Sequence, residues 1–426
     1  MVRLLLSLYM LIGSVNLLAQ QLQAERLTLL FVGDLMQHRA QLDAARRPDG
    51  SYDYASCFEL LKPLISEADL AVGNLEVPLG GAPYGGYPAF CAPDDYLHAL
   101  LDSGFDLLLT ANNHCLDRQG RGLARTLRLL DSLQVAHTGT FLSPADRQQH
   151  YPLLVEKKGF RLVFLNYTYG TNGVTAAPPY VVNLIDKPQM QADIARARAM
   201  RPDAIIACMH WGEEYHSLPN RLQRELADWL LSQGVTHVIG SHPHVIQPVE
   251  RRASTSGQPT ERRAPTSGQP LERRSGGHIV AYSLGNFISN MSAPHTDGGL
   301  ILHLELVKPA PPQPAPPFAA SPFAAPNAST HAIPSPQCST RADSTRFTPL
   351  HPYCTLGRCS YELVWTARPT VSGLRNFLLC PAEGPLPFRS ARAEALRRIF
   401  VNNERNLLNQ YNIDVKERLA PATVGP

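Results

Sequence analysis

Six apolar runs of strand length, each closing on polar side chains, constrain this chain more than any other feature. Residues 27–32 end in Gly33-Asp34-Leu35-Met36, 69–73 in Asn74-Leu75-Glu76, and 105–110 in Ala111-Asn112-Asn113-His114. Further on, 204–209 end in His210-Trp211-Gly212-Glu213-Glu214-Tyr215, 235–239 in Gly240-Ser241-His242-Pro243-His244, and 279–283 in Leu284-Gly285-Asn286-Phe287. Helical spacing of apolar residues intervenes over 54–67, from about 93, from Asp117 (an N-cap type) to 133, and over 187–200 and 219–232. Strands alternating with helices predict an α/β fold. Unbroken apolar runs fit strands buried on both faces. Ligands of open α/β sheets bind outside the carboxyl ends of the strands, so Asp34, Asn74, Glu76, Asn113, His114, His210, His242 and His244 are expected to converge.

The residue types at those ends point to a metal. Carboxylate, amide oxygen and imidazole together suit Mn, Fe or Zn. Two such ions about 3.5–4 Å apart can polarise a phosphoryl oxygen and activate water near neutral pH. His242 and His244 stand at i and i+2, where extended backbone aims both rings the same way. Pro243 favours extended backbone at His242. Each residue also has a structural reading: Asp34 as a helix cap, Asn113 as a turn former, Glu76 as a surface charge, His-Pro-His as polar loop. The joint structural reading needs every strand end to acquire such residues independently.

At 426 residues there is length for one large α/β domain and an appendage. A dispersed net charge of +3 excludes a nucleic-acid partner. None of the eight cysteines forms a C-x-x-C pair, while Cys338, Cys354, Cys359 and Cys380 are near enough in sequence for one or two bridges in an oxidising compartment. Arg3 followed by the apolar residues 4–12 reads as a signal peptide over 1–20, with Leu17 where a small side chain is usual. The alternative is an uncleaved membrane anchor, and no other segment could cross a bilayer. Residues 153–156 and 161–165 suggest a hairpin. An eleven-residue Arg/Gly/Pro/Ser repeat makes 250–276 a low-complexity insertion in a domain spanning 25–308. A Pro/Ala/Ser-rich linker follows over 309–345, then a C-terminal extension over 346–426 with a strand at 361–367 and an amphipathic helix at 390–410.

In order, GD-x-M, NLE, ANNHxxD, HWGxEY, GSHPH and SLGNF closely resemble the CapA (poly-γ-glutamate capsule biosynthesis) family, which looks like a branch of the calcineurin-like metallophosphoesterases. The resemblance covers about 27–307. It implies a calcineurin-like four-layer sandwich, two mixed sheets flanked by helices, with a site for two divalent metals. It also implies that Asp34 and His244 bind the first metal, that Asn113, His210 and His242 bind the second, and that Glu76 is the acidic ligand of the second motif. His114 would be the general acid or phosphate contact, oriented by Asp117. Asn74, Trp211, Glu214 and Asn286 would be substrate or supporting residues. The chain departs from the broader phosphoesterase pattern, which has D-x-H in place of Asp34-Leu35-Met36 and GD in place of Gly73-Asn74. Either Glu76 bridges two cations or one cation is held weakly. The function implied is a secreted or periplasmic hydrolase of the cell envelope, acting on a phosphoester or amide of a capsule polymer. The alternative is a non-catalytic accessory protein that binds an anionic polymer. Other capsule-synthesis proteins are expected partners, and the membrane is one only if the signal segment stays uncleaved.

Overall fold

The computed structural model describes residues 24–253, 277–308 and 354–418. The expected signal peptide, most of the repeat, the linker and Cys338 lie outside the described residues. Strands β1 (Glu25–Leu35), β2 (Leu70–Leu75), β3 (Leu107–Leu109) and β4 (Ala136–Thr138) pair in parallel in that order. A small ribbon is made by β5 (Thr140–Phe141) and β8 (Val181–Val182). The second sheet takes β6 (Leu153–Lys157), β7 (Phe160–Thr168), β9 (Ala204–His210), β10 (His237–Ser241), β11 (Val249–Arg252) and β12 (His278–Ala281), in the order β11-β12-β10-β9-β7-β6. Strands β13 (Asn286–Ile288) and β14 (Gly298–Lys308) return to the first sheet on either side of the loop 289–297. There β15 (Thr355–Ala367), β16 (Leu378–Pro381) and β17 (Lys416–Glu417) extend it. Both sheets mix parallel and antiparallel pairs, and the expected hairpin is β6–β7.

Alternation along each strand builds the layers. Leu27, Leu29 and Phe31 of β1 face Phe164, Ile206 and Ile239 of the other sheet in one core, with the Phe31 and Phe164 rings 6.5 Å apart. Leu30 and Val32 face Phe58, Ile65, Leu97 and Leu100 from helices on the outer side. Across the molecule, Ile205, Ala207 and Met209 of β9 pack on Met190, Ile194, Leu226 and Leu230 of the helices Lys187–Ala199 and Arg221–Ser232. Helix, sheet, sheet, helix is therefore the order of layers. Both strand faces are apolar because both are covered, and each buried large side chain contributes roughly 1.5–3 kcal/mol.

Three expectations are corrected. The helix over 54–67 is two, Ala55–Phe58 and Lys62–Glu67, because Pro63 has no N–H to continue the hydrogen-bond ladder. The bridges that the late cysteines left possible do not form among the described residues: Cys354, Cys359 and Cys380 are free thiols, and Cys354 Sγ–H donates to the Asp203 carbonyl. The segment after the linker is also more than one strand and a helix. Its strand spans all of Thr355–Ala367, and its helix Ala391–Tyr411, capped by Ser390, packs in the core shared by both sheets.

Candidate metal centre

Strand ends from both sheets meet at one pocket. Asp34 lies near the end of β1, Asn74 near the end of β2 with Glu76 just after it, Asn113 and His114 follow β3, His210 ends β9, and His242 and His244 follow β10; all are buried. Gly33 lets β1 approach β13 closely enough for this, since a Cβ there would lie 1.9 Å from the Gly285 carbonyl oxygen. Glu76 is central. Its Oε1 is 3.6 Å from His210 Nε2 and 3.7 Å from His244 Nε2. The His210 and His242 ring centroids are 4.8 Å apart, and those of His242 and His244 5.7 Å.

The two histidines of His-Pro-His reach the pocket by a different route from the one expected. Strand β10 stops at Ser241, and His242 and His244 have φ of 100° and 58°. Backbone strain of this kind costs on the order of 1–3 kcal/mol per residue and persists where surroundings over-determine it. Here the His242 N–H lies 3.4 Å from Asp34 Oδ2, and the Pro243 carbonyl accepts from the Tyr215 N–H. The bias that proline imposes on its predecessor is overridden by the tertiary fold.

Hydrogen bonding sorts the donors. His244 Nδ1–H faces Asp34 Oδ2 at 3.0 Å and Asn286 Oδ1 at 3.1 Å. Its Nε2 therefore carries the lone pair, and this atom has no hydrogen-bond partner among the described residues. Glu76 Oε1, His242 Nδ1 and Asn74 Oδ1 are buried in the same condition. Asn74 Nδ2–H donates to Asp34 Oδ1 at 2.8 Å and reaches Glu76 Oε2 at 3.3 Å. His210 Nε2 is 2.9 Å from Asn113 Oδ1. Donor atoms of Glu76, His242 and His244 lie within 4.8 Å of one another, and so do those of Asp34, Glu76 and His210. Ligands bound at about 2.1 Å to one cation stand roughly 3–3.5 Å from each other, so these spacings fit a divalent ion with small adjustments.

Charge is arranged to match. Burial pushes the Asp34 carboxyl up, but the hydrogen bond and charge of His244 and the charge of His210 outweigh it, leaving Asp34 well below the usual carboxylate range. Burial, then the Asp34 charge, hold Glu76 well above its ordinary value. Burial and the His242 charge keep His210 far down, and burial and the His244 charge bring His242 to about 3. Neutral imidazoles beside oxygen donors are what a cation site requires.

At the edge of the pocket His114 Nδ1–H donates to Asp117 Oδ2 at 2.8 Å. Asp117 does not cap the helix, which starts at Gln119; its carboxylate accepts instead from His114 and from the Phe90 N–H. Asn286 orients His244 as described. Trp211 lies in the core, stacks on Tyr282 and donates its indole N–H to the Tyr282 carbonyl at 2.9 Å, so it does not line the pocket. Glu214 is exposed nearby. Sequence reasoning missed Tyr169, whose ring sits 4.5 Å from that of His242, and Asn172, whose Oδ1 accepts from Asn113 Nδ2–H at 3.3 Å. Tyr169 directly follows β7, so the strand-end rule would have found it had that strand been drawn to Thr168. His38, beside Phe90 and accepting from the Asn290 N–H, carried no comparable signal.

A family model described as bacterial capsule synthesis protein PGA_cap matches residues 28–291. The PGA biosynthesis protein CapA of Bacillus subtilis (strain 168) is 25% identical over 304 residues, 66% of this chain and 68% of its own length. The capsule biosynthesis protein CapA of Bacillus anthracis is 24% identical over 293 residues, 66% of this chain and 64% of its own length. Among solved structures, TT1561 of Thermus thermophilus superposes with a TM-score of 0.36 at 8% identity, over 66% of this chain and 94% of its own. The 5'-nucleotidase from Candida albicans SC5314 does so with a TM-score of 0.35 at 10% identity, over 66% and 47%.

Proposed function

The chain belongs to the bacterial capsule synthesis protein family PGA_cap, and on that footing we propose that it is an extracytoplasmic metal-dependent hydrolase. Its substrate is a phosphoester or amide bond of an anionic capsule polymer, poly-γ-glutamate or a relative, or of a precursor. One observation carries this reading: Glu76 Oε1, His242 Nδ1 and His244 Nε2 are buried without a hydrogen-bond partner among the described residues, and these three residues offer ligand atoms within 4.8 Å of one another. A surface that only bound polymer would have no use for a carboxylate buried among imidazoles.

Asp34, Glu76, Asn113, His210, His242 and His244 would hold two divalent ions, Mn, Fe or Zn, with Glu76 common to both donor groups. Bound there, such ions polarise the acceptor oxygen and lower the pKa of water. The chain's own residues do the rest. Asp34 and Asn286 fix the His244 ring through Nδ1. Asp117 holds His114 Nδ1–H, so that the imidazolium form of this ring would give its Nε2 proton to the leaving oxygen or nitrogen and return to the neutral Nδ1–H tautomer. The Tyr169 ring, 4.5 Å from His242, keeps bulk water off that side. The N-terminal segment, read as a signal peptide, and membership of a capsule-synthesis family support a secreted or periplasmic site of action, with other capsule-synthesis proteins as partners. No helix among the described residues is long and apolar enough to cross a membrane.

Asn74 favours a second reading, a non-catalytic accessory role in polymer synthesis or export. Its neutral amide spends Nδ2–H on Asp34 and Glu76 and adds no negative charge for a second ion. The two readings separate on turnover of a generic aryl phosphodiester with added Mn, Fe or Zn. Hydrolysis that needs the metal and is lost in His244→Ala supports the enzyme; no turnover with any of the three supports the accessory role.

A further inference from the structure

The family match ends at residue 291, but the contacts that hold the pocket in shape continue beyond it. We propose that the C-terminal segment 354–418 is a positioning element of the metal pocket, gripping the loop 289–297 so that Asn286 sets the His244 ring. This rests on the metal reading above.

The connection can be followed bond by bond. His244 Nδ1–H faces Asn286 Oδ1 at 3.1 Å. The other end of that amide is fixed by the loop: Asn286 Nδ2–H donates to the Thr296 carbonyl at 3.1 Å and reaches Met291 Sδ at 3.6 Å. Thr296 in turn folds back, its Oγ1–H donating to the Ala293 carbonyl at 2.6 Å. Turned by half a revolution, the amide would set N–H against N–H at His244, so the loop decides whether that ring stays in place.

The C-terminal segment holds the loop from two sides. In the helix Ala391–Tyr411, Glu404 Oε1 accepts from His295 Nδ1–H at 2.8 Å, and the Glu404 side chain is 2% exposed. From the end of β15, the Thr366 N–H donates to the Asp297 carbonyl at 2.7 Å. Arg368 bonds Asp297 Oδ1 at 2.5 Å and the Met291 carbonyl. Gly298 completes the grip, because a Cβ there would lie 2.0 Å from the Val364 carbonyl oxygen and 2.9 Å from the Phe400 ring. The far end of the loop touches the pocket as well, through the Asn290 N–H on His38 Nδ1 at 3.2 Å. A carboxylate buried on the inner face of an amphipathic helix is costly, and a leucine would bury more apolar surface. Holding His295, which sits in left-handed backbone at φ 66°, gives Glu404 a role that packing alone does not.

The test is the Mn(II) affinity of the full-length protein, measured by calorimetry. Asn286→Ala should weaken binding about 10–100-fold, as loss of a partner that orients a ligand does. Glu404→Leu and Arg368→Met act one step further out and should weaken it by roughly 3–10-fold. Glu404→Gln, which can still accept from His295, should stay near wild type. Glu404→Leu binding within about twofold of wild type, beside a weakened Asn286→Ala, overturns the proposal, since the loop would then hold itself. If Glu404→Leu does not fold, His295→Asn makes the same cut: asparagine tolerates left-handed backbone and is too short to reach Glu404. If wild type binds none of Mn(II), Fe(II) and Zn(II), the metal reading has failed, and amide exchange over 289–297 still judges the grip. Faster exchange in the Glu404 or His295 variant supports it, and unchanged exchange overturns it.

Discussion

Replacing Glu76 with glutamine should make the protein harder to unfold and abolish the proposed cation binding. The carboxyl is fully buried, and burial and the Asp34 charge hold it well above its ordinary 4.5. A group whose pKa is raised by folding favours the native state below its unfolded value and loses that contribution as pH rises through its folded value. At pH 7.5 the penalty has a ceiling of about 4 kcal/mol, since a carboxyl that costs more to ionise simply keeps its proton. Glutamine has the same shape and no charge, so its gain at pH 7.5 should be roughly 1–4 kcal/mol, shrinking towards zero near pH 4.5. The assay is thermal unfolding of both proteins in chelator and in Mn(II). Wild type should gain about 2.7 kcal/mol at a hundredfold excess over the dissociation constant, and Glu76→Gln should gain nothing. A variant that melts below wild type in chelator, or that still gains stability from Mn(II), would refute the reasoning. A Glu76 present for its hydrogen bonds alone would give the first of these results.

Other consequences can be checked separately. His237 is buried in β10 and brought to about 3 by burial and then by the His278 charge. Its depressed pKa favours folding above the unfolded value of 6.5, and that contribution fades as pH falls through 6.5 towards 3. Urea unfolding should show wild type losing roughly 2 kcal/mol more than His237→Gln between pH 7.5 and pH 5, whereas equal losses would contradict this. Gly240→Ala would put a Cβ 2.0 Å from the Tyr282 carbonyl oxygen and 2.6 Å from Trp211 Nε1; it should destabilise by about 3 kcal/mol or more, read by denaturant midpoint. His114→Gln should lower turnover by about 10²–10⁴-fold while Mn(II) affinity changes little. A fall in affinity of the same size would move His114 into the ligand set.

The parallel strands were easy to read because strands covered on both faces are written as continuous apolar runs, and their polar exits stand out against them. Asp34, Glu76, Asn113, His210, His242 and His244 all emerged that way and all meet in the pocket. The manner of their meeting was not legible. His242 and His244 turn inward through positive φ, which no local preference of histidine before or after proline announces. Trp211 shares its motif with His210 but points the other way, as alternation along an extended chain requires. Asp117 looked like a cap because Asp is a common cap, and only the folded chain puts His114 and the Phe90 N–H beside it. The C-terminal strands were hardest: β15 mixes buried and half-exposed positions, so its run looks irregular until its pairing with β14 is known.

The central claim is that strand ends from two sheets build one cation pocket around Glu76. Elemental analysis of protein purified without chelator, wild type beside His244→Ala and His210→Ala, tests it directly. Roughly one to two equivalents of Mn, Fe or Zn in wild type, falling below about a tenth in both variants, is the predicted result. Wild type that carries no such ion and takes none up on dialysis, or variants that keep the full complement, would contradict it.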